Sequence, residues 1–137
     1  MAATPAAPRE AEIAMLFDRW NSALATGDAD TVAKLYAPNA VLEPTVSNEM
    51  RTTPSGIRDY FAKFLKTKPH GTINVREIRW LDDGTALNAG VYTFDLTKHG
   101  THQKVQARYT FVYKKIDGKC LILHHYSSMM PEKIAAH

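Results

Sequence analysis

The stretch TINVREIRWLDDGTALNAGVYTFDLTKHGTHQKVQARYTFVYKKIDGKCLILHHYSS, residues 72–128, decides the fold. Here the spacing of apolar residues changes from helical to a period of two. Ile73 and Val75 alternate with polar neighbours, then, past an irregularity, so do Ile78 and Trp80. Successive side chains of a strand point to opposite faces, so this alternation describes half-buried strands. The turns are DDG (82–84), KHG (98–100) and DG (117–118). Glycine takes the positive φ that tight hairpins need. The stretch therefore predicts an antiparallel meander of four long strands, from Gly71 to the first turn, then Thr85–Thr97, Lys104–Ile116 and Lys119–Ser128.

Upstream the period is helical. Ile13, Leu16, Phe17, Trp20 and Leu24 form one stripe after Pro8, with Gly27 as the C-terminal stop. Asp28 is placed to cap a second, short helix whose buried face is Val32, Leu35 and Tyr36 and which Pro38 ends. AVLEP (40–44) reads as a short strand, and VSNEMR (46–51) as a turn. Thr53 and Pro54 are good grammar for the start of a third helix, with Ile57, Tyr60, Phe61, Phe64 and Leu65 on its apolar face. The domain spans residues 10–132, between a tip at 1–9 and a tail at 133–137. The expected class is α+β: a cone-shaped, curved antiparallel sheet covered by three N-terminal helices, with a pocket between the layers.

The bulk numbers narrow the function classes. A chain of 137 residues with 45% hydrophobic and 23% charged residues is an ordinary single-domain composition. A net charge of +3, with no long basic run, argues against nucleic acid or membrane as partner. No apolar stretch has the length of a membrane span. The single cysteine, Cys120, excludes an internal disulfide and lies in the apolar run CLIL. MAATPAAP at the start lacks a signal peptide's hydrophobic segment, so the expected location is cytoplasmic on the sequence as given, or exported if a signal has been removed.

With these elements in place, the chain resembles the nuclear transport factor 2-like (SnoaL-like, cystatin-like) superfamily. Within it, it is similar to the SgcJ/EcaC family and to the association (hub) domain of calcium/calmodulin-dependent protein kinase II. The resemblance is carried by WNSALATGDADTVAKLYAPNAVLEPTVSN (20–48), RTTPSGIRDYFAKFL (51–65), ARYTFVYKKIDGK (107–119) and HHYSSMMPE (124–132). It implies dimerisation through the sheet, with larger rings in the kinase hub. It does not imply one reaction, since the superfamily contains isomerases, dehydratases, cyclases and non-catalytic binders. The hub's carboxylate pocket uses arginines and a histidine. This sequence has Tyr92, Phe111 and Ser127 in place of the arginines, and His70 matches the histidine.

His124 and His125 look like a metal or catalytic pair, but neighbours on a strand face opposite ways. Only one can face the pocket, and no carboxylate or second histidine stands at a spacing that completes a metal site. No metal and no organic cofactor is expected. Which histidine faces inward depends on the turn at Asp117-Gly118. A two-residue turn pairs Ile116 with Lys119 and puts Arg108 and Thr110 on one face with His125 and Ser127. A three-residue turn with a bulge pairs Lys115 with Lys119 and groups Arg108 and Thr110 with His124 and Tyr126. The second is preferred.

The candidate ligand-binding residues are Arg108, Trp20, Tyr36, Tyr92, His70 and Phe64. Arg108 is the expected anion clamp, and the aromatics form the wall. The catalytic candidates are His124, His125 and Glu43, the last at the end of the first strand, where burial would raise its pKa. Asp95, Asn48, Arg51 and Tyr60 are secondary candidates. Three functions follow. The leading one is a homo-oligomer with a pocket for a small organic molecule, anionic if Arg108 lines it. The alternatives are a cofactor-independent isomerase, dehydratase or cyclase, and an oligomerisation scaffold.

Overall fold

The computed structural model describes residues 6–45 and 47–132. Three helices, α1 (Ala6–Ala25), α2 (Ala29–Ala33) and α3 (Pro54–Phe64), accompany five strands: β1 (Tyr36–Glu43), β2 (His70–Asp82), β3 (Thr85–Lys98), β4 (Thr101–Ile116) and β5 (Lys119–Met129). The strands form one sheet in the order β1-β5-β4-β3-β2. β2 to β5 are the expected antiparallel meander. β1 joins the far edge in parallel with β5, which the alternation could not show.

Helix punctuation is where the sequence put it. The Asp28 side chain accepts from the Asp30 N–H, and Thr53 accepts from the Gly56 N–H, with Pro54 opening α3. Gly27 holds a positive φ of 71° just past α1. Two boundaries differ. α1 begins at Ala6, before Pro8 rather than after it; a first-turn N–H has no intrahelical partner, so proline is tolerated there. α2 ends at Ala33, and Tyr36 belongs to β1 rather than to a helix. β5 captures the chain, with the Ile122 N–H bonded to the Leu35 carbonyl at 2.8 Å. Pro38 lies inside this edge strand, where the register slips between Tyr36↔Ile122 and Val41↔His124. Proline is tolerated on such an edge because its missing donor leaves no ladder bond broken.

The turn at Asp117-Gly118 has two residues. Ile116 pairs with Lys119, and both turn residues have positive φ, 51° and 80°. Three residues on, the register changes. Tyr113 pairs with Ile122, but Val112 pairs with His124, leaving Leu123 as an extra residue in β5. A second irregularity lies between Ile73 and Val75 in β2. Opposite it, a Cβ on Gly90 would stand 1.8 Å from the Val75 carbonyl oxygen, so only glycine lets the strands approach.

The core lies between the helices and the inner face of the sheet. Trp20, Phe61, Tyr92, Tyr109 and Phe111 are almost fully buried. Trp20 meets Phe61 and Phe111 edge-on, the latter at 5.4 Å, while Tyr92 and Tyr109 stack at 4.7 Å. Asn88 is completely buried and accepts from the Tyr109 hydroxyl at 2.8 Å.

Candidate functional site

The bulge at Leu123 settles the two histidines. Phe111 pairs with His125 and Tyr109 with Ser127, and all four are buried. Arg108 is exposed and pairs with Ser128; His124 and Tyr126 share that outer face. The preferred grouping is therefore correct, but its cause is not the three-residue turn. A two-residue turn and a bulge together reverse the facing.

His125 stacks on Phe111 with ring centroids 4.1 Å apart and meets the Trp20 ring edge-on at 5.4 Å. Its Nδ1 lies 2.8 Å from the Tyr36 hydroxyl, and its Nε2 lies 3.2 Å from the Tyr92 hydroxyl. Burial, helped by the neighbouring His124 charge, pushes its pKa down from 6.5 to about 3. The ring is thus neutral at pH 7, with one donor and one acceptor nitrogen. The surrounding donors fix which is which. Trp20 Nε1–H donates to the Tyr36 hydroxyl at 3.1 Å, and Tyr92 O–H donates to Ser127 Oγ at 2.8 Å. The Tyr92 proton is spent on Ser127, so His125 Nε2–H must donate to the Tyr92 oxygen. Nδ1 then accepts from Tyr36. Ser127 continues the row to Thr45 through a short hydroxyl contact. The bonds run one way from Trp20 to Tyr36 to His125 to Tyr92 to Ser127, the Ser127–Thr45 hydroxyl pair ends the row, and each group is satisfied. Burial holds the Tyr36 and Tyr92 phenols well above their usual pKa, partly offset at Tyr92 by the Ser127 bond, so both remain donors.

A cavity of about 60 Å³ opens against this row. It is lined by Trp20, Tyr60, Phe61, Phe64, Phe94 and Leu96 among apolar groups, and by Tyr92, His125, Ser127 and Thr45 among polar ones. Among the described residues, Lys98 is the one charged side chain in the lining. The space holds a few waters, or the compact apolar part of an organic molecule.

Of the ligand-binding candidates, Trp20, Phe64 and Tyr92 line the cavity, and Tyr36 supports His125 from behind. Arg108 and His70 do not line it. Both are exposed, because their strand positions alternate with the inward ones. Arg108 therefore cannot clamp a ligand in this cavity. Glu43 and His124 form their own pair outside, with Oε1 and Nε2 2.6 Å apart and each side chain about one-third exposed. The acid and the inward histidine are on opposite faces of the sheet, so Glu43 cannot share a proton with His125. Asp95 pairs with exposed Lys104 at 3.5 Å. Arg51 bonds the Gly56 carbonyl and Glu49, and Asn48 is exposed on the same turn. Among the described residues, no three His, Cys, Asp or Glu side chains gather as a metal site.

Chemically, His125 is a positioning group. Both of its nitrogens are engaged, so it has no free lone pair to take a substrate proton while the row is intact. The row's free ends are the Thr45 hydroxyl and the spare lone pairs of Tyr92 and Ser127. These can orient a polar atom of a ligand by hydrogen bonding. Ser127, Thr45 and Lys98 were missed as site residues in the sequence. Ser127 shares parity with His125 and was within reach once the bulge was known. Thr45 was hidden because the parallel pairing of β1 brings it there.

The comparisons come to a consistent result. The family model for the calcium/calmodulin dependent protein kinase II association domain matches residues 9–131. A Xanthomonas campestris protein whose structure is described as that association domain is 58% identical; the match covers 96% of this chain and 95% of that one, with a TM-score of 0.91. The Chlamydomonas reinhardtii CaMKII hub homology domain is 21% identical over 88% of this chain and 96% of its own, with a TM-score of 0.73. A nuclear transport factor 2-like superfamily protein of Salmonella enterica is 19% identical over 96% and 97%, with a TM-score of 0.78. None of the curated proteins matches the chain. Among the described residues, no helix is long and apolar enough to cross a membrane.

Proposed function

Since the chain belongs to the calcium/calmodulin-dependent protein kinase II association domain family, we propose that it is a self-associating domain whose cavity takes up a small organic molecule. The observation that carries the binding reading is the wall of the cavity. Aromatic side chains surround one completely satisfied polar row, and that row leaves a hydroxyl and spare lone pairs facing the space. Apolar walls provide affinity and the row orients a carbonyl or hydroxyl group. Catalysis by His125 or Glu43 has no support in this arrangement, because the histidine is doubly bonded and the acid lies on the other face.

Self-association is supported by the outer face of β4 and β5. Val112, Leu121 and Tyr126 stand there beside the Glu43–His124 pair, and the described helices pack on the opposite face. Apolar side chains set among charged ones on a sheet face of this kind are stabilised by burial against another surface.

Two measurements test the proposal. Light scattering at micromolar concentration is expected to give a dimer or larger species, and Val112→Asp is expected to dissociate it without loss of helix signal. A wild-type monomer under those conditions overturns self-association. A thermal-shift screen of aromatic and branched aliphatic alcohols, ketones and acids is expected to yield stabilising compounds that lose their effect in Leu96→Trp, which fills the cavity. Stabilisation that survives in Leu96→Trp places binding elsewhere and refutes the cavity reading.

A further inference from the structure

β2 ends the sheet, and among the described residues no strand lies beyond it. An open edge presents backbone N–H and C=O groups that a further strand can bond. The middle of β2, VREIRWL (75–81), lies between two register irregularities, at Ile73/Val75 and at Trp80/Asp82. Val75, Glu77, Arg79 and Leu81 share one face by alternation. Val75 and Leu81 are 52% and 58% exposed, so neither large apolar side chain is covered within this chain. Glu77 and Arg79 are exposed too and lie 3.1 Å from one another. A groove of about 400 Å³ separates α1 from this strand, lined by Ala11, Ala14, Arg76 and Ile78, so the helix leaves room along the edge.

The stretch is its own complement. Laid antiparallel to a second copy, about a twofold axis at Ile78, it sets Val75 opposite Leu81 of that copy. Glu77 then stands opposite Arg79, and Arg76 opposite Trp80. The first pair is apolar, the second joins opposite charges, and the third brings a guanidinium to an indole. The axis repeats each pair, so the two Glu77 and two Arg79 side chains alternate in sign around it. A register centred on Glu77 or on Arg79 instead sets like charges against each other. Charged edge residues commonly keep strands apart. Here they oppose the neighbouring registers and favour one.

From this self-complementarity we infer that β2 is a second self-association surface. Its edge pairs antiparallel with β2 of another copy in the register centred on Ile78, and the two five-stranded sheets become one. This contact is separate from the outer-face contact of β4 and β5 proposed above. β3 lies between β2 and β4, so one chain can make both contacts at once. Two twofold contacts on one chain build assemblies larger than a dimer. The edge is the weaker of the two, since a short strand offers far fewer residues than the roughly 20–30 a side of a standard interface.

The test isolates the edge in Val112→Asp, which breaks the outer-face contact, by sedimentation equilibrium from micromolar to submillimolar concentration. A monomer–dimer equilibrium is expected. Adding Arg79→Glu sets Glu77 against a glutamate twice over and is expected to weaken the dimer roughly tenfold or more. Adding Glu77→Arg as well exchanges the two charges and is expected to restore it. Both positions are exposed, so melting temperatures should hold across the series. If Val112→Asp assembles as wild type does, the outer-face contact is refuted, and the loss and its restoration are expected in the wild-type background instead. A Val112→Asp protein that stays monomeric throughout, a dimer indifferent to Arg79→Glu, or a loss that the exchanged pair does not restore overturns the edge contact. The register has its own check in a Cys120→Ser background. Mixed Glu77→Cys and Arg79→Cys chains are expected to oxidise to the mixed disulfide, because opposed residues stand within bridging distance. A predominance of symmetric disulfides overturns the register.

Discussion

Acidification should weaken this fold through His125, and the size of the effect follows from its burial. The ring is 4% exposed, and its pKa is about 3 in the folded state against 6.5 for an unburied histidine. Below pH 6.5 the unfolded chain therefore binds a proton that the folded chain refuses. Stability from this group is complete above pH 6.5 and is lost as the pH falls toward 3. Each unit of pH in that window is worth at most about 1.4 kcal/mol, so going from pH 7 to 4.5 should remove roughly 2–3 kcal/mol. The carboxyls of Asp28 and Asp82 are held below their usual range by hydrogen bonds, so their contribution is lost only below about pH 3.8, outside the range from pH 7 to 4.5. The assay is urea unfolding at pH 7, 5.5 and 4.5, for wild type and for His125→Phe. Phenylalanine keeps the stack on Phe111 but leaves the Tyr36 hydroxyl without an acceptor, so the variant should start roughly 1–3 kcal/mol less stable. Its loss between pH 7 and 4.5 should then be smaller than that of wild type by the 2–3 kcal/mol assigned to the imidazole. Parallel pH profiles for the two proteins would refute the reasoning, since they would mean that His125 is not a buried neutral ring.

Other expectations concern single positions. Gly90→Ala should prevent stable folding or lower the melting temperature steeply, because its Cβ meets a backbone carbonyl that cannot swing aside. Thr53→Ala should cost about 1 kcal/mol in chemical denaturation through loss of the α3 cap. Arg108→Ala should leave both the melting temperature and the affinity for the screen's stabilising compounds within error of wild type, as its side chain is exposed on the outer face. Ser127→Ala interrupts the row between Tyr92 and Thr45 and should destabilise by roughly 1–3 kcal/mol in denaturant titration, a buried donor having lost its acceptor.

The fold was legible where a single local rule decided the outcome. The period-two stretch, the caps at Asp28 and Thr53 and the two-residue hairpin all follow from backbone geometry and nearest neighbours. Tyr36 was misplaced because its helical spacing to Val32 is genuine, while a strand 86 residues away in sequence, reached through Ile122, decides the local conformation. The site was half legible. Trp20, Phe64, Tyr92 and one of the two histidines were expected to line the pocket, as large apolar or amphipathic side chains on inward positions do. Arg108 was misread because an arginine in an apolar strand can lie on either face, and facing depends on register. One inserted residue, Leu123, reverses the facing of the two histidines relative to Arg108, and nothing in CLILHHYSS marks it as the bulge. Lys98 was overlooked because it opens the KHG turn, where a lysine usually serves only the turn.

The central claim is that the cavity beside His125 is a binding site, and Trp20 in its wall reports on it. In a Trp80→Phe background Trp20 is the only tryptophan. Its fluorescence should change saturably on titration with a compound that stabilises the wild-type protein in the thermal-shift screen, and the change should vanish when the cavity is filled by Leu96→Phe in the same background. A response that stays linear in the compound, or a saturable one that is unchanged by Leu96→Phe, would contradict the account.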